Sequence, residues 1–73
     1  MEERDESLEL SLNGEPHRLP AGSTVLDLLA GLGRDPRLVA VERNGEIVRR
    51  ARYGEIRLET GDRLEVVHFV QGG

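Results

Sequence analysis

Two Asn-Gly dipeptides, Asn13-Gly14 and Asn44-Gly45, constrain this chain more than any other feature. Asn-Gly favours the positive φ angles of a tight two-residue hairpin turn, and alternating apolar and polar residues flank each pair here. Before the first turn, Leu8, Leu10 and Leu12 alternate with Glu9 and Ser11, the period-two pattern of a strand with one buried face. After it, His17-Arg18-Leu19-Pro20 reads as a short return strand. Around the second turn, Val39 and Val41 alternate with Ala40 and Glu42, and Ile47 and Val48 resume the strand.

Between the hairpins lies the one convincing helix, in the stretch PAGSTVLDLLAGLG. Thr24 and Asp27 stand at capping-box spacing, close to the favoured form that ends in Glu or Gln. Val25, Leu28, Leu29 and Leu32 recur at helical spacing and make a single apolar stripe, which reads as a core face. Gly33 suits the left-handed conformation that ends a helix, and Pro36 prevents its resumption.

The remainder is less regular. Ile56 and Leu58 alternate with Arg57 and Glu59, which predicts a short edge strand, and Thr60-Gly61-Asp62 reads as a turn into the last strand. In that strand Leu64 and Val66 share one face, and Val67 and Phe69 share the other. Residues 1–7 carry charge without periodicity and are expected to be a frayed lead-in to a domain over 8–70, with 71–73 a flexible tail.

The element order is strand, strand, helix, strand, short irregular strand, strand. One helix covers only one face of a four- to five-stranded sheet. This predicts an α+β chain of the β-grasp, or ubiquitin-like, order, a mixed sheet whose first and last strands lie side by side and parallel at the centre. Val67 and Phe69, with Val70 beyond them, then either form an exposed partner surface on the uncovered face or pack under a loop.

Composition narrows the function classes. Seventy-three residues make one small domain, too small for a large enclosed active site. The chain has no cysteine, its histidines His17 and His68 are isolated, and no metal-ligand spacing occurs. With Tyr53 and Phe69 its only aromatic residues, its core is expected to be leucine and valine. A net charge of −4 argues against nucleic acid or an anionic membrane as the main partner. No apolar run approaches membrane-span length, and the acidic start is unlike a signal peptide, so a cytoplasmic protein is expected.

No catalytic constellation emerges, and His17 and His68 read as strand or surface residues, with His68 beside the tail. What remains is the carboxylate after Gly72-Gly73. A carboxylate is a poor electrophile, but an acyl-adenylate made from it is a good one. Glycines without Cβ atoms let an extended tail thread a narrow channel and leave the carbonyl open to attack. Every basic residue is arginine. Genome composition or adaptation to heat explains this most simply. The arrangement also deprives an activated terminus of internal amine and thiol nucleophiles, because arginine stays protonated.

The segments AGSTVLDLL, VERNGEIV and RYGEIRLETGDRLEVVHFV, closed by Gly72-Gly73, resemble the ThiS family of sulfur carriers of thiazole (thiamin) biosynthesis from about Leu8 onward. Gln71 stands where members often carry a third glycine. The resemblance implies a carrier and not an enzyme, monomeric when free, with no bound cofactor. A ThiF-like adenylyltransferase would use ATP to adenylate Gly73. Sulfur from a cysteine desulfurase or rhodanese-like donor would then convert Gly73 to a thiocarboxylate, and thiazole synthase (ThiG) would accept the sulfur. Gly72 and Gln71 would thread the partner active sites. Three alternatives stay open: the small subunit of molybdopterin synthase, a ubiquitin-like protein modifier, and a non-covalent binding module with an inert terminus.

Overall fold

The computed structural model describes residues 6–69. Five strands occur in it: β1 (Ser7–Leu12), β2 (Glu15–Pro20), β3 (Val39–Arg43), β4 (Glu46–Val48) and β5 (Arg63–His68). Helix α1 spans Val25–Leu32, and single 3-10 turns cover Pro36–Leu38 and Arg50–Arg52. The strands make one mixed sheet in the order β2-β1-β5-β3-β4. β5 is central, parallel to β1 through Ser11↔Arg63 and Leu12↔Leu64, and antiparallel to β3 from Val39↔His68 to Arg43↔Leu64. This is the expected β-grasp arrangement, with the first and last strands adjacent and parallel. β1 begins at Ser7, one residue inside the anticipated lead-in, while residues 1–5 and 70–73 lie outside the described residues.

Both hairpins turn where the dipeptides predict. Asn13 and Gly14 have φ 52° and 84°, and Asn44 and Gly45 have φ 52° and 85°. Positive φ at both central residues matches the right-handed twist of paired strands, and Asn and Gly tolerate it best.

Helix α1 starts on a complete capping box. Thr24 Oγ1 accepts the Asp27 N–H at 3.2 Å, and Asp27 Oδ2 accepts the Thr24 N–H at 2.9 Å. Two of the donors left over at a helix start are thereby satisfied. Gly33, at φ 71°, ends the helix in the left-handed conformation, and Arg34 N–H reaches back to the Leu29 carbonyl at 2.9 Å. The apolar stripe faces the sheet: Val25, Leu28 and Leu29 are fully buried against Leu10, Val39, Val41, Val48 and Leu64. Leu8, Leu12, Leu19, Leu32 and Val66 pack around this core.

The edge strand expected at Ile56–Leu58 does not form. A single bridge, Thr24↔Arg57, takes its place. The backbone here pairs with the entry to α1 instead of a sheet edge: Ile56 C=O accepts the Val25 N–H at 3.2 Å, and Leu58 N–H donates to Ser23 C=O at 2.9 Å. The alternation still reports burial, since Leu58 joins the core and Ile56 packs against it, together with the buried Tyr53. Local pattern cannot distinguish a strand from an extended loop that buries alternate residues.

Asp62 closes the fold near the start of β5. Its nearly inaccessible carboxylate accepts from Arg43 Nε at 2.9 Å, Asn44 Nδ2 at 3.1 Å and the Glu59 N–H at 2.8 Å. Three donors compensate the desolvation of this charge, as a buried carboxylate requires.

Candidate functional site

Successive side chains of a strand point to opposite faces, and in β5 this separates two roles. Leu64 and Val66 turn toward α1, while Glu65, Val67 and Phe69 turn away. Among the described residues no element covers that second face, and Val67 is 59 % and Phe69 50 % exposed. Of the two sequence readings, the exposed patch is therefore the one observed. Val70, the third residue expected there, lies outside the described residues.

The register extends the patch. Ala40 lies opposite Val67, and Ile47 lies opposite Glu42 on the same face. Ile47 is 66 % exposed, more than either β5 residue, although in the sequence it reads only as part of the return strand. A signal was available. Ile47 and Val48 are adjacent, so in a three-residue strand only one of them can face the core. Val48 takes the core, leaving Ile47 on the open side. Acidic and ion-paired groups border the patch: Glu65 stands opposite Glu42, and Arg18 pairs with Glu9 across β1 and β2.

The end of β5 is held from both sides. On the β3 side, Phe69 N–H donates to the Leu38 carbonyl at 2.8 Å. The 3-10 turn bearing Leu38 is fixed by Asp35, which accepts the Arg37 N–H at 2.9 Å and pairs with Arg37 Nη2 at 2.8 Å. The Arg37 guanidinium and backbone N–H hold the Asp35 carboxyl at about 2. On the β1 side, the Asn13 carboxamide grips Val66, with Oδ1 accepting the Val66 N–H at 2.9 Å and Nδ2 donating to its carbonyl at 3.2 Å.

The residues that follow this anchored end, Gln71, Gly72 and Gly73, lie outside the described residues. His68 is exposed at the end of β5, and His17 is partly buried on β2 opposite Leu10. The two histidines are not brought together with other ligand types: among the described residues no group of three or more His, Cys, Asp or Glu could hold a metal ion. Among the described residues no helix is long and apolar enough to cross a membrane. The arrangement offers an apolar sheet face, continuous with an anchored strand whose sequence runs on into Gly72-Gly73. It is suited to docking and presentation.

Comparison with known proteins points the same way. The model of the ThiS family matches residues 10–73. Over 65 residues the chain is 43% identical to the sulfur carrier protein ThiS of Bacillus subtilis, covering 88% of this chain and 98% of that protein. It is also 52% identical over 66 residues to a thiazole synthase of Magnetococcus marinus and 47% identical over 66 residues to one of Paramagnetospirillum magneticum. Each match takes in 90% of this chain, which spans 20% of the length of those two proteins. Among solved structures, the thiamine biosynthesis protein ThiS of Geobacter metallireducens superposes with a TM-score of 0.77 at 30% identity, over 90% of this chain and all of that one.

Proposed function

The chain belongs to the ThiS family, and from that premise we propose that it is a sulfur carrier of thiamin thiazole biosynthesis, with the sulfur borne on Gly73. The observation that carries the reading is the family match running through Gly73, joined to a β5 whose anchored end leads from an exposed apolar face into that tail.

The chemistry belongs to the terminal carboxylate, and the chain acts as a co-substrate, not a catalyst. In a ThiF-like adenylyltransferase, a Gly73 carboxylate oxygen attacks the α-phosphorus of ATP and pyrophosphate leaves. The terminal persulfide sulfur of a cysteine desulfurase or rhodanese-like donor then attacks the activated carbonyl carbon and AMP leaves. A thiol reduces the resulting acyl disulfide, releasing the thiocarboxylate that thiazole synthase consumes. The carrier itself holds no cofactor, and ATP is used by the activating enzyme. All these partners are reached in the cytoplasm.

Each part of the chain has a task in this scheme. Gly72 and Gly73 present no Cβ to a narrow channel, and Gln71 precedes them at its mouth. Ordering such a tail on binding costs entropy, which contacts from the rigid domain must offset. Val67, Phe69 and Val70, extended by Ile47, supply those contacts. A stretch resembling this chain within proteins named thiazole synthase supports that enzyme as the recipient of the sulfur.

ATP–pyrophosphate exchange tests the first step. A ThiF-like adenylyltransferase should catalyse exchange with the intact chain and fail with a chain lacking Gly73. Equal exchange with both would refute the assignment of Gly73.

A further inference from the structure

β5 is a central strand for only part of its length. Its pairing with β1 ends at Leu12↔Leu64, where β1 turns away through Asn13-Gly14, whereas its pairing with β3 continues to Val39↔His68. The direction of each backbone group follows from named bonds. Phe69 N–H donates to Leu38 C=O, and Asn44 N–H donates to Arg63 C=O, so odd-numbered residues of β5 bond toward β3. Leu64 C=O accepts the Asn13 N–H, and Val66 bonds the Asn13 carboxamide, so even-numbered residues bond toward β1. The N–H and C=O of His68 therefore point to the β1 side, where no strand lies among the described residues. The Asn13 carboxamide occupies the position just before it. It engages the N–H and C=O of Val66 together, as a residue of an added antiparallel strand would with its own C=O and N–H.

We propose that the β1-side edge of β5 at His68 is a strand-addition site, taken by an extended backbone segment of the enzyme that acts on the tail. The proposal rests on the carrier reading and deepens it. Three observations favour this occupant. A strand edge with an outward N–H and C=O recognises main chain. The edge lies on the strand that leads into Gly72-Gly73, so an enzyme segment pairing there would fix the direction of the tail at its point of departure. Exposed Val67 and Phe69 flank His68 in sequence and form an apolar surface that the same partner would cover. Asn13 is the positioning residue: its grip on Val66 keeps the edge straight up to the point where the partner takes over.

The test combines exchange with semisynthesis, because the site lies close enough to the C-terminus for ligation of a synthetic segment. Hydrogen exchange at the His68 amide should be fast in the free chain and slow by roughly tenfold or more in complex with the adenylyltransferase. Replacing the 67–68 amide by an ester removes the His68 donor and leaves every donor of the β3 ladder in place, weakening there only the Val67 carbonyl as an acceptor. That ester should lower thermal stability only slightly, through the weaker Val67 acceptor, and raise KM for adenylation by up to about tenfold, the scale of one lost net hydrogen bond, with kcat retained. The 68–69 ester, which removes the Phe69 donor to Leu38, should lower stability more and raise KM less. Unchanged exchange at His68 in the complex, or an unchanged KM for the 67–68 ester, overturns the strand-addition site while thiocarboxylate formation leaves the carrier reading intact. The exchange result needs no turnover, so failure of the unmodified chain to be adenylated would contradict the carrier reading separately.

Discussion

The Asn13 carboxamide and the Val66 backbone bond each other twice, Oδ1 taking the N–H at 2.9 Å and Nδ2 giving to the C=O at 3.2 Å. Asn44 performs a related task at the start of β5, where its backbone N–H donates to the Arg63 C=O at 2.7 Å and its Oδ1 accepts the Arg63 N–H at 2.8 Å. Each hairpin turn thus places an asparagine whose side chain grips the central strand from one flank. The turns and the strand that leads to the tail form one hydrogen-bonded unit.

Asn13→Gly separates the two jobs of this residue. Glycine adopts positive φ freely, so the turn survives, but both bonds to Val66 are lost. We expect a loss of about 1 to 2 kcal/mol in urea unfolding, with exchange of the Val66 amide accelerated more than that of Val41.

Acid should loosen the junction at Asp62. Burial pushes its carboxyl up, but the Glu59 N–H, the Asn44 amide and the Arg43 guanidinium outweigh this and hold it below the ordinary carboxylate value. A group depressed in the folded state contributes stability above its unfolded pKa of about 4, and loses it as pH falls through the lower folded value. Unfolding free energy measured from neutral pH downward should fall across that window. Asp62→Asn should be less stable near neutrality and show a shallower acid decline. A parallel decline would mean that other carboxylates govern it.

Helix α1 carries much of a small core, so truncation there should be severe. Leu28 is fully buried, and Leu28→Ala should cost about 2 to 5 kcal/mol, enough to threaten folding in a domain of this size. Thr24→Ala removes the capping box and should cost about 1 kcal/mol. Thermal denaturation followed by circular dichroism ranks the two, and the reverse order would contradict the packing described.

On the open face the expectation inverts. Val67→Ala, Phe69→Ala and Ile47→Ala remove exposed side chains and should change stability by no more than about 0.5 kcal/mol. Their effect should appear in adenylation as a raised KM. If Ile47→Ala behaves as the unmodified chain while the two β5 variants do not, the docking patch is confined to the end of β5.

Much of this was legible in the sequence, for local reasons. The Asn-Gly turns, the Thr24–Asp27 box and the Gly33 stop act over a few residues, and each is found where its chemistry places it. The central pairing of first and last strands is that of the β-grasp fold, whose element order the chain matches. What was not legible depends on distant neighbours. Ile56 and Leu58 alternate like a strand, but Ser23 and Val25 claim their backbone groups. Asp62 looks like an ordinary turn residue, yet Arg43 and Asn44 from another hairpin converge on it. The Asn13 grip spans 53 positions, and nothing near Asn13 announces it. For the site, Val67 and Phe69 were visible through strand parity, whereas Ile47 needed the sheet order.

Intact mass spectrometry tests the central claim most directly, after incubation with ATP, a ThiF-like adenylyltransferase and a persulfide donor, with a chain lacking Gly73 alongside. The carrier account predicts a mass gain equal to one sulfur-for-oxygen exchange in the intact chain and none in the truncated one. An unchanged mass, with enzyme and donor shown active on another carrier, would contradict it and leave a β-grasp module that binds through Val67 and Phe69 with an inert end.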